Sequence, residues 1–455
     1  MELITHLIAE AELLLTQGRE AEATDLLERA CAESLGILGT IYCDFFRNEE
    51  KSLRYFHMSK MVDKANWRTE VNYAHALSSF NHHNETLDAA RRAVKFSECK
   101  EFIPLFNYGI VLAHHHDPQA EEVFERALSL KPDSKLCMYN IGGVALRRGD
   151  YKKGWPLYEN RLGGFKGSAK FYQRFWKYPL WDGKQDLNGK IVVVFIEQGL
   201  GDLFQFVRFI PLLQAKYPEA KLIIEVQGPT VDLLRHSFPG YEIVGRRDNN
   251  MNDPPNSDVV VSVCSLALHL EAFSKEQIPQ EPYIKIPGEK KLETDKLKVG
   301  FCWAGNSAHE LDSYRTIPLG MFRKLSELPN VQLYGLQKHI SPIYRKWKQG
   351  TVNIMEGAAD VKYIDLTDQI KDMSDTARIV NGLDLVLSVD TSLAHLAGAM
   401  GKKTWLLTPY CADWRWGLDG PTCDWYPSMR LFRKSHSMED WSVVLDEVAV
   451  ELSAL

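Results

Sequence analysis

"LVLSVDTSLAHLAGAMGKKTWLL", residues 385–407, sets an apolar run, Leu385–Val389, directly before the polar turn Asp390-Thr391-Ser392. An alanine-rich stretch with helical spacing follows at once, and a second apolar run begins at Thr404. Strand, turn, helix and strand in so short a space form the unit of a parallel α/β sheet. Two readings of the polar turn stand at this point. Either its side chains cap the helix, or the helix start is left bare to hold a ligand.

The same alternation extends outward through the second half. "KIVVVF" (190–195), "KLIIEV" (221–226), "YEIVG" (241–245) and "SDVVVSV" (257–263) are strands of one series. "KVGFCWAG" (298–305), "VQLYGLQ" (331–337), "YIDLT" (363–367), "DLVLSVD" (384–390) and "TWLLTP" (404–409) make a second. Two βα series joined by an extended link near residues 285–297 predict two Rossmann-like domains, 188–290 and 291–455. The carboxyl-terminal "MEDWSVVLDEVAVELSAL" predicts a helix packed across one of them.

The first third has a different period. Small residues recur at a spacing close to 34, at Ala30, Ala93 and Ala127, with Arg161 at the next step. Ala120, Phe124, Ala127 and Pro132 have the spacing of a tetratricopeptide helix that packs on its partner and then ends. Ala11, Ala23 and Leu27 echo it, as do Ala74, Leu77 and Ala90, and then Gly142, Ala145, Gly154 and Tyr158. Residues 36–64 fit the period poorly, which marks a degenerate or replaced repeat. Residues 1–164 therefore resemble a tetratricopeptide solenoid, whose concave groove binds peptides or proteins; alternatively the repeats only dock on the second half. Residues 165–187, with Trp176 and Trp181, read as a packed connector.

Composition narrows the function classes. The chain has 455 residues, 45% hydrophobic and 25% charged, with a formal net charge of -6. That balance gives no reason to expect avid duplex DNA or anionic membrane binding, although it leaves room for a local basic groove. The stretch MELITHLIAEAELLL lacks a cationic leader, and no apolar run is long enough to span a bilayer. The eight cysteines form no C-x-x-C pair, so zinc-finger and redox motifs are disfavoured and reduced thiols in a cytoplasm are expected.

Three turns carry candidate chemistry. Gln198-Gly199-Leu200-Gly201-Asp202 follows a strand, where open α/β sheets place ligands. It lacks the third glycine of a dinucleotide fingerprint, Phe204 standing there, and there is no Walker lysine. Asp202 is either a helix cap or a general base in a cleft between the domains. Asp390, Thr391, Ser392 and Leu393 start a helix whose amides and dipole suit a phosphate without a metal. His395, one turn in, reaches the anion or fills the helix face, and packing is favoured for a lone histidine. Gly398 and Gly401 allow close packing and a helix stop. In "CWAGNSAHELDSYRTIPLGMF", Asn306 and Arg315 lie at the same face, and Arg315 pairs with a diphosphate or with the neighbouring Asp312 or Glu310.

"EQGLGDLFQFVRFIPLL", "GFCWAGN" with "RTIPL", "LQ" at 336–337, "LDLVLSVDTSLAHLAGAMGKKTWLL" and "DWRWGLDGPTCDWYPSMRLFR" together resemble tetratricopeptide proteins fused to a heptosyltransferase-type domain, glycosyltransferase family nine. The layout is also similar to the O-GlcNAc transferases. The resemblance implies an α + α/β chain, an all-helical tetratricopeptide solenoid followed by two Rossmann-like domains (GT-B). It implies Asp202 as catalytic base and Asp390, Thr391, Ser392, Leu393 and His395 as the donor-diphosphate element. Arg315 stands where such enzymes usually have lysine, with Asn306 nearby, and Ser392 replaces a usual glycine. Gln337 and the segment Asp372–Thr376, Met373 included, match positions lining the nucleotide; Gln198, Gly199, Leu200 and Gly201 form the cleft loop. No D-x-D motif is present, so neither metal nor cofactor is expected, and a nucleotide-diphosphate sugar is the donor. The implied activity is inverting transfer to a hydroxyl of a protein acceptor recruited by the repeats. A scaffold with an inactive transferase-like domain is the alternative from another class, and a lipid-linked glycan or modified nucleic-acid base the alternative acceptor. His114, His115 and His116 read as a turn, and Trp414, Trp416 and Trp425 either stack on a ligand or pack a loop.

Overall fold

The computed structural model describes residues 2–80, 82–164, 173–175, 177–246, 254–309, 312–338, 344–347, 350–436 and 439–455. It divides into two compact units, Met1–Ile141 with Lys346–Val352, and Gly142–Arg345 with Asn353–Leu455. The 1–164 helical domain drawn from the sequence runs past that division. Trp176 and Glu310 lie outside the described residues.

The first unit is built from helices α1 (Glu2–Thr16), α2 (Glu20–Asp44), α3 (Glu49–Val62), α4 (Trp67–Ser79), α5 (His83–Phe96), α6 (Phe102–His114) and α7 (Ala120–Leu130), with α8 (Lys135–Arg147) running out of it. The recurring alanines are its contact points: Ala11, Ala23, Ala30, Ala74, Ala90, Ala93, Ala120 and Ala127 are all buried. Glycine serves where helices come closest. A Cβ at Gly39 would lie 2.8 Å from the Phe56 ring and one at Gly109 2.7 Å from Phe124. Leu27, read with the packed set, is instead 44% exposed. The poorly periodic stretch 36–64 is explained by the length of α2, whose 25 residues carry it past the usual turn to pack along α3.

The second unit holds two wholly parallel sheets. Strands β1 (Ile191–Phe195), β2 (Lys221–Gln227), β3 (Glu242–Arg246) and β4 (Val259–Ser262) lie in the order β3-β2-β1-β4. A two-stranded sheet, β7 (Tyr344–Trp347) and β8 (Gly350–Asn353), falls mostly within the first unit; the second unit's other sheet has β5 (Leu297–Cys302), β6 (Val331–Gly335), β9 (Ile364–Asp365), β10 (Leu385–Val389), β11 (Thr404–Thr408) and β12 (Met429–Arg433). Its order, β12-β11-β10-β5-β6-β9, counted within the domain, is the 3-2-1-4-5-6 winding of Rossmann folds. The chain reverses direction across each sheet between β1 and β4 and between β5 and β10, and crevices open there at the carboxyl ends. The buried runs that announced the strands, such as Leu385–Val389, are covered on both faces.

Connections behave as local chemistry dictates. Leu180 of the connector bridges Val260 beside β4, and Trp181 is buried with its Nε1–H donated to the Gln185 carbonyl at 2.9 Å. The link between the sheets forms no strand. Tyr283 and Ile284 donate their N–H groups to the Ala399 carbonyl, and Lys290 donates to that of Arg378. The carboxyl-terminal helix Trp441–Ser453 packs on the second sheet's domain, with Lys324 paired to Asp446 at 2.6 Å.

The last helices of the repeat region, α9 (Tyr151–Tyr158) and α10 (Arg161–Gly164), belong to this second unit. Trp155 is the reason. It is 1% exposed, makes ring contacts with Tyr151, Tyr158, Phe206, Trp414 and Trp425, and donates Nε1–H to the Ala272 carbonyl at 2.7 Å. Trp414, Trp416 and Trp425 are thus packed side chains within the protein. Truncation of so large a buried ring leaves a cavity, so Trp155→Ala is expected to lower unfolding free energy by about 3–5 kcal/mol, measured by urea denaturation, with Trp155→Phe losing less.

Candidate functional site

The loop after β1 is fixed from below by buried charge. Glu197 has no exposed side-chain surface and accepts from Arg161 Nε at 2.9 Å and from the Ser262 hydroxyl. Arg161, 1% exposed, also donates to Glu159 at 2.6 Å and to Ser265 Oγ at 2.8 Å. A buried ion pair survives only with such full hydrogen bonding. Gln198 belongs to this underside: its Nε2 approaches the Tyr158 hydroxyl at 3.4 Å, its carbonyl accepts from Gln227, and it does not line the cleft. The sequence placed it with the cleft loop because it adjoins Gly199; the support beneath the loop has turned it away.

Beyond this anchor the chain enters the helix Leu200–Phe206 with Asp202 in its first turn. Asp202 both closes the helix start and lines the cavity. Its Oδ2 accepts the Gly199 N–H at 3.0 Å, closing the helix start, while Oδ1 accepts from Arg415 Nη2 at 2.7 Å. Burial raises its proton affinity first, and Asp413 adds to this, while Arg415 opposes. The balance lies above the usual carboxylate value.

Across the cleft, β10 ends at Val389 and a helix begins at Ser392. Thr391 is its N-cap residue, yet no side chain caps the helix, and the Thr391 hydroxyl lies instead 3.1 Å from that of Ser388. Among the described residues nothing accepts from the Ser392 and Leu393 amides. The question posed by this stretch is therefore decided against simple capping. Gly401, at φ +72°, follows the helix end.

Arg315 borders this helix start. It donates Nη1–H to the Asp390 carbonyl at 2.9 Å and reaches the Asn306 carbonyl at 3.5 Å, while its buried Nε–H has no partner. Asp312 pairs with the Thr316 hydroxyl at 3.0 Å, and no carboxylate lies within ion-pair distance of Arg315 among the described residues. Gly305 permits this placement, since a Cβ there would sit 2.5 Å from the guanidinium. Asn306 Oδ1 turns back onto the Ala308 amide at 3.0 Å. Gln337 Oε1 accepts from the Ala304 and Trp303 amides and from the Cys302 thiol, so it shapes the loop after β5. Met373 opens a helix capped by Asp372, which accepts from Ser374 and Asp375.

His395 is wedged between the domains. Its Nδ1 lies 2.9 Å from the Tyr426 hydroxyl, its ring packs on Trp416, and a Cβ on Gly201 would sit 2.7 Å from it. Burial, then Arg415 and Arg208, hold its proton affinity well below that of free histidine. The 4.0 Å approach of Nε2 to Asp390 is thus no ion pair, because a neutral ring carries no charge to offer. Asp390, like Asp202, is raised by burial, then by Asp413, with Arg315 opposing.

These groups face one cavity of about 640 Å³, within the range of small-molecule sites. Gly199, Leu200, Gly201 and Asp202 form one wall, and Asn306, Arg315, Gln337, Met373, Asp390, Thr391, Ser392, Leu393 and His395 line the rest. Sequence reasoning did not find Lys338, Asp413 or Arg415, which also line it. The last two sat in a stretch that was quoted for the resemblance but whose tryptophans alone were singled out. Among the described residues the three-ligand group with atoms within 4.8 Å is Cys43, Asp44 and His75, in the helical unit.

No protein-family model matches the chain. Protein FlbA of Caulobacter vibrioides is 25% identical over 347 residues, 70% of this chain and 55% of the relative. The chain thus spans about half the length of the curated relative it matches. Similar solved structures include a family 9 glycosyl transferase from Veillonella parvula, 12% identical, covering 60% of this chain and 95% of its own, TM-score 0.40. They include E. coli ADP-heptose LPS heptosyltransferase II, 11% identical, covering 58% and 99%, TM-score 0.38. The helical part is similar to Pseudomonas aeruginosa PilF, 18% identical, covering 37% and 79%, TM-score 0.29. At these TM-scores the overlays carry no argument about activity. No described helix is long and apolar enough to cross a membrane.

The fit of His395 against Gly201 makes a measurable coupling. Gly201→Ala is expected to cost about 1–3 kcal/mol through overpacking, and His395→Ala in the same chain to recover part of it. A double-mutant cycle by chemical denaturation reads the coupling directly.

Proposed function

We propose that this chain is an inverting glycosyltransferase that moves a sugar from a nucleotide-diphosphate sugar to an acceptor hydroxyl, without a metal ion. One observation carries the reading: two unpaired helix amides and an arginine with no carboxylate partner face, in a single cavity, a carboxylate of the opposite domain. The bare helix start of Ser392–Ala399 suits the diphosphate, since its N–H groups and dipole both favour an anion. Lys338, Met373 and Thr376 lie on the same wall, where the nucleoside would rest.

In the reaction Asp202 takes the proton of the acceptor hydroxyl. The hydroxyl oxygen attacks the anomeric carbon as the bond to the diphosphate breaks, and the leaving diphosphate keeps the electron pair. Charge grows on that diphosphate, where fixed amide donors and Arg315 stabilise it without reorganising. Closure of two domains on the substrates brings base, acceptor and donor together and removes water. The acceptor is a protein or peptide presented by the helical repeats. None of the eight cysteines forms a disulfide, which fits a reducing compartment, and we place the activity in the cytoplasm.

A thermal-shift screen of nucleotide sugars, ADP-heptose among them, identifies the donor through its stabilisation of the folded chain. With that donor, Asp202→Asn is expected to lower transfer by about 10²–10⁴-fold while donor affinity stays near the parent value. Arg315→Ala is expected to weaken donor binding by about 10–100-fold in calorimetry, the loss of one charge-assisted contact. Undiminished turnover in the first variant, or undiminished affinity in the second, would overturn the assignment.

A further inference from the structure

Arg415 stands in the loop that follows β11, in the domain opposite Asp202, and its side chain is only 11% exposed. Each of its three side-chain nitrogens has a partner. Nη2 donates to Asp202 Oδ1 at 2.7 Å and Nε to Gln205 Oε1 at 2.6 Å, while Nη1 forms an ion pair with Asp413 Oδ1 at 3.0 Å. Its first two partners are three residues apart on the helix Leu200–Phe206, so the planar fork grips one face of that helix's first turns. Trp414 lies beneath the guanidinium, 4.9 Å from it, and the aspartate at 413 in turn accepts the Arg415 backbone N–H at 3.2 Å.

Resting on the transferase reading above, we propose that Arg415 is the positioning residue of this site: held in place by Asp413 and Gln205, it reaches across the cleft, aims Asp202 and keeps that carboxylate ionised. The Gly199 amide holds one oxygen of Asp202 and Arg415 the other, which sets the plane of the carboxylate at the cavity wall. Its depth in the protein alone would favour the protonated acid, which cannot accept a proton from an acceptor. A cation in contact opposes that effect.

The charged groups facing Asp202 are few. Arg415 and Asp413 come from the opposite loop, and Glu197, from its own loop, is already paired with Arg161. His395, packed on Gly201, is neutral. Arg415 lowers the proton affinity of Asp202 and Asp413 raises it. The two therefore act on Asp202 in opposite directions, and removing each charge is expected to move its titration oppositely.

The acid limb of the kcat/KM–pH profile, which reports the base of the free enzyme, separates these possibilities in transfer assays on the full chain. Arg415→Gln removes the cation and is expected to move that limb up by about 1–3 pH units, so that activity lost at neutral pH returns as pH rises. Asp413→Asn removes the like charge while still able to cap its turn, and is expected to move the limb down. Arg415→Lys restores a positive charge and is expected to bring the limb back toward the parent position. If Arg415→Gln and Asp413→Asn lower the rate with the limb unmoved, the positioning role is wrong while the transferase reading stands. If Arg415→Gln does not fold, the direction given by Asp413→Asn decides. If Asp202→Asn transfers sugar at the parent rate, both readings fall together.

Discussion

Two backbone N–H groups, those of Ser392 and Leu393, stand at the centre of this protein's design. A helix start normally finds an acceptor in a serine, threonine or aspartate side chain, and the sequence supplies all the residues needed. The fold nevertheless diverts them. Thr391 turns toward Ser388 of the strand, and the Asp390 carbonyl is occupied by Arg315. The helix dipole and its bare donors are left pointing into the cavity at the place where the winding of the sheet reverses. The opposite wall, the glycines that let it approach and the arginines that border it acquire meaning only in relation to that unpaired end.

Holding the facing carboxylate in place takes more protein than the carboxylate itself. Asp202 belongs to a short helix whose entry is pinned by Glu197, and Glu197 is tied to Arg161. The aromatic cluster around Trp155 fills the space behind. Ionic and apolar contacts divide the work here: burial of rings supplies cohesion, and the charged network sets the angle at which the loop leaves the sheet.

Much of this was legible in the sequence because the determinants are local. Runs such as "KIVVVF" and "DLVLSVD" can only be buried parallel strands, and both series appear where the pattern put them. The alanine and glycine spacing of the repeats exposed the helix contacts for the same reason. What stayed hidden depends on distance along the chain or on a disguised pattern. Asp202 and Arg415 are 213 residues apart, and no spacing rule links them. The strand β12 carries an arginine at Arg430 and another at Arg433, which blur its apolar run. Gln337 looked like a ligand contact but spends its carbonyl oxygen on the loop after β5, a choice set by tertiary packing. Gln198 was misplaced for the same cause, since adjacency in sequence says nothing of which side of a loop a residue faces.

The placement of α9 and α10 bears on how the molecule divides into parts. Periodicity would draw the border of the solenoid after Gly164, yet the indole of Trp155 and the guanidinium of Arg161 lie inside the neighbouring unit. A dissection made at that apparent border would pull a plug of rings from the sheet-bearing body and strand a buried glutamate beside it. The division into compact units falls earlier, between Ile141 and Gly142 of α8.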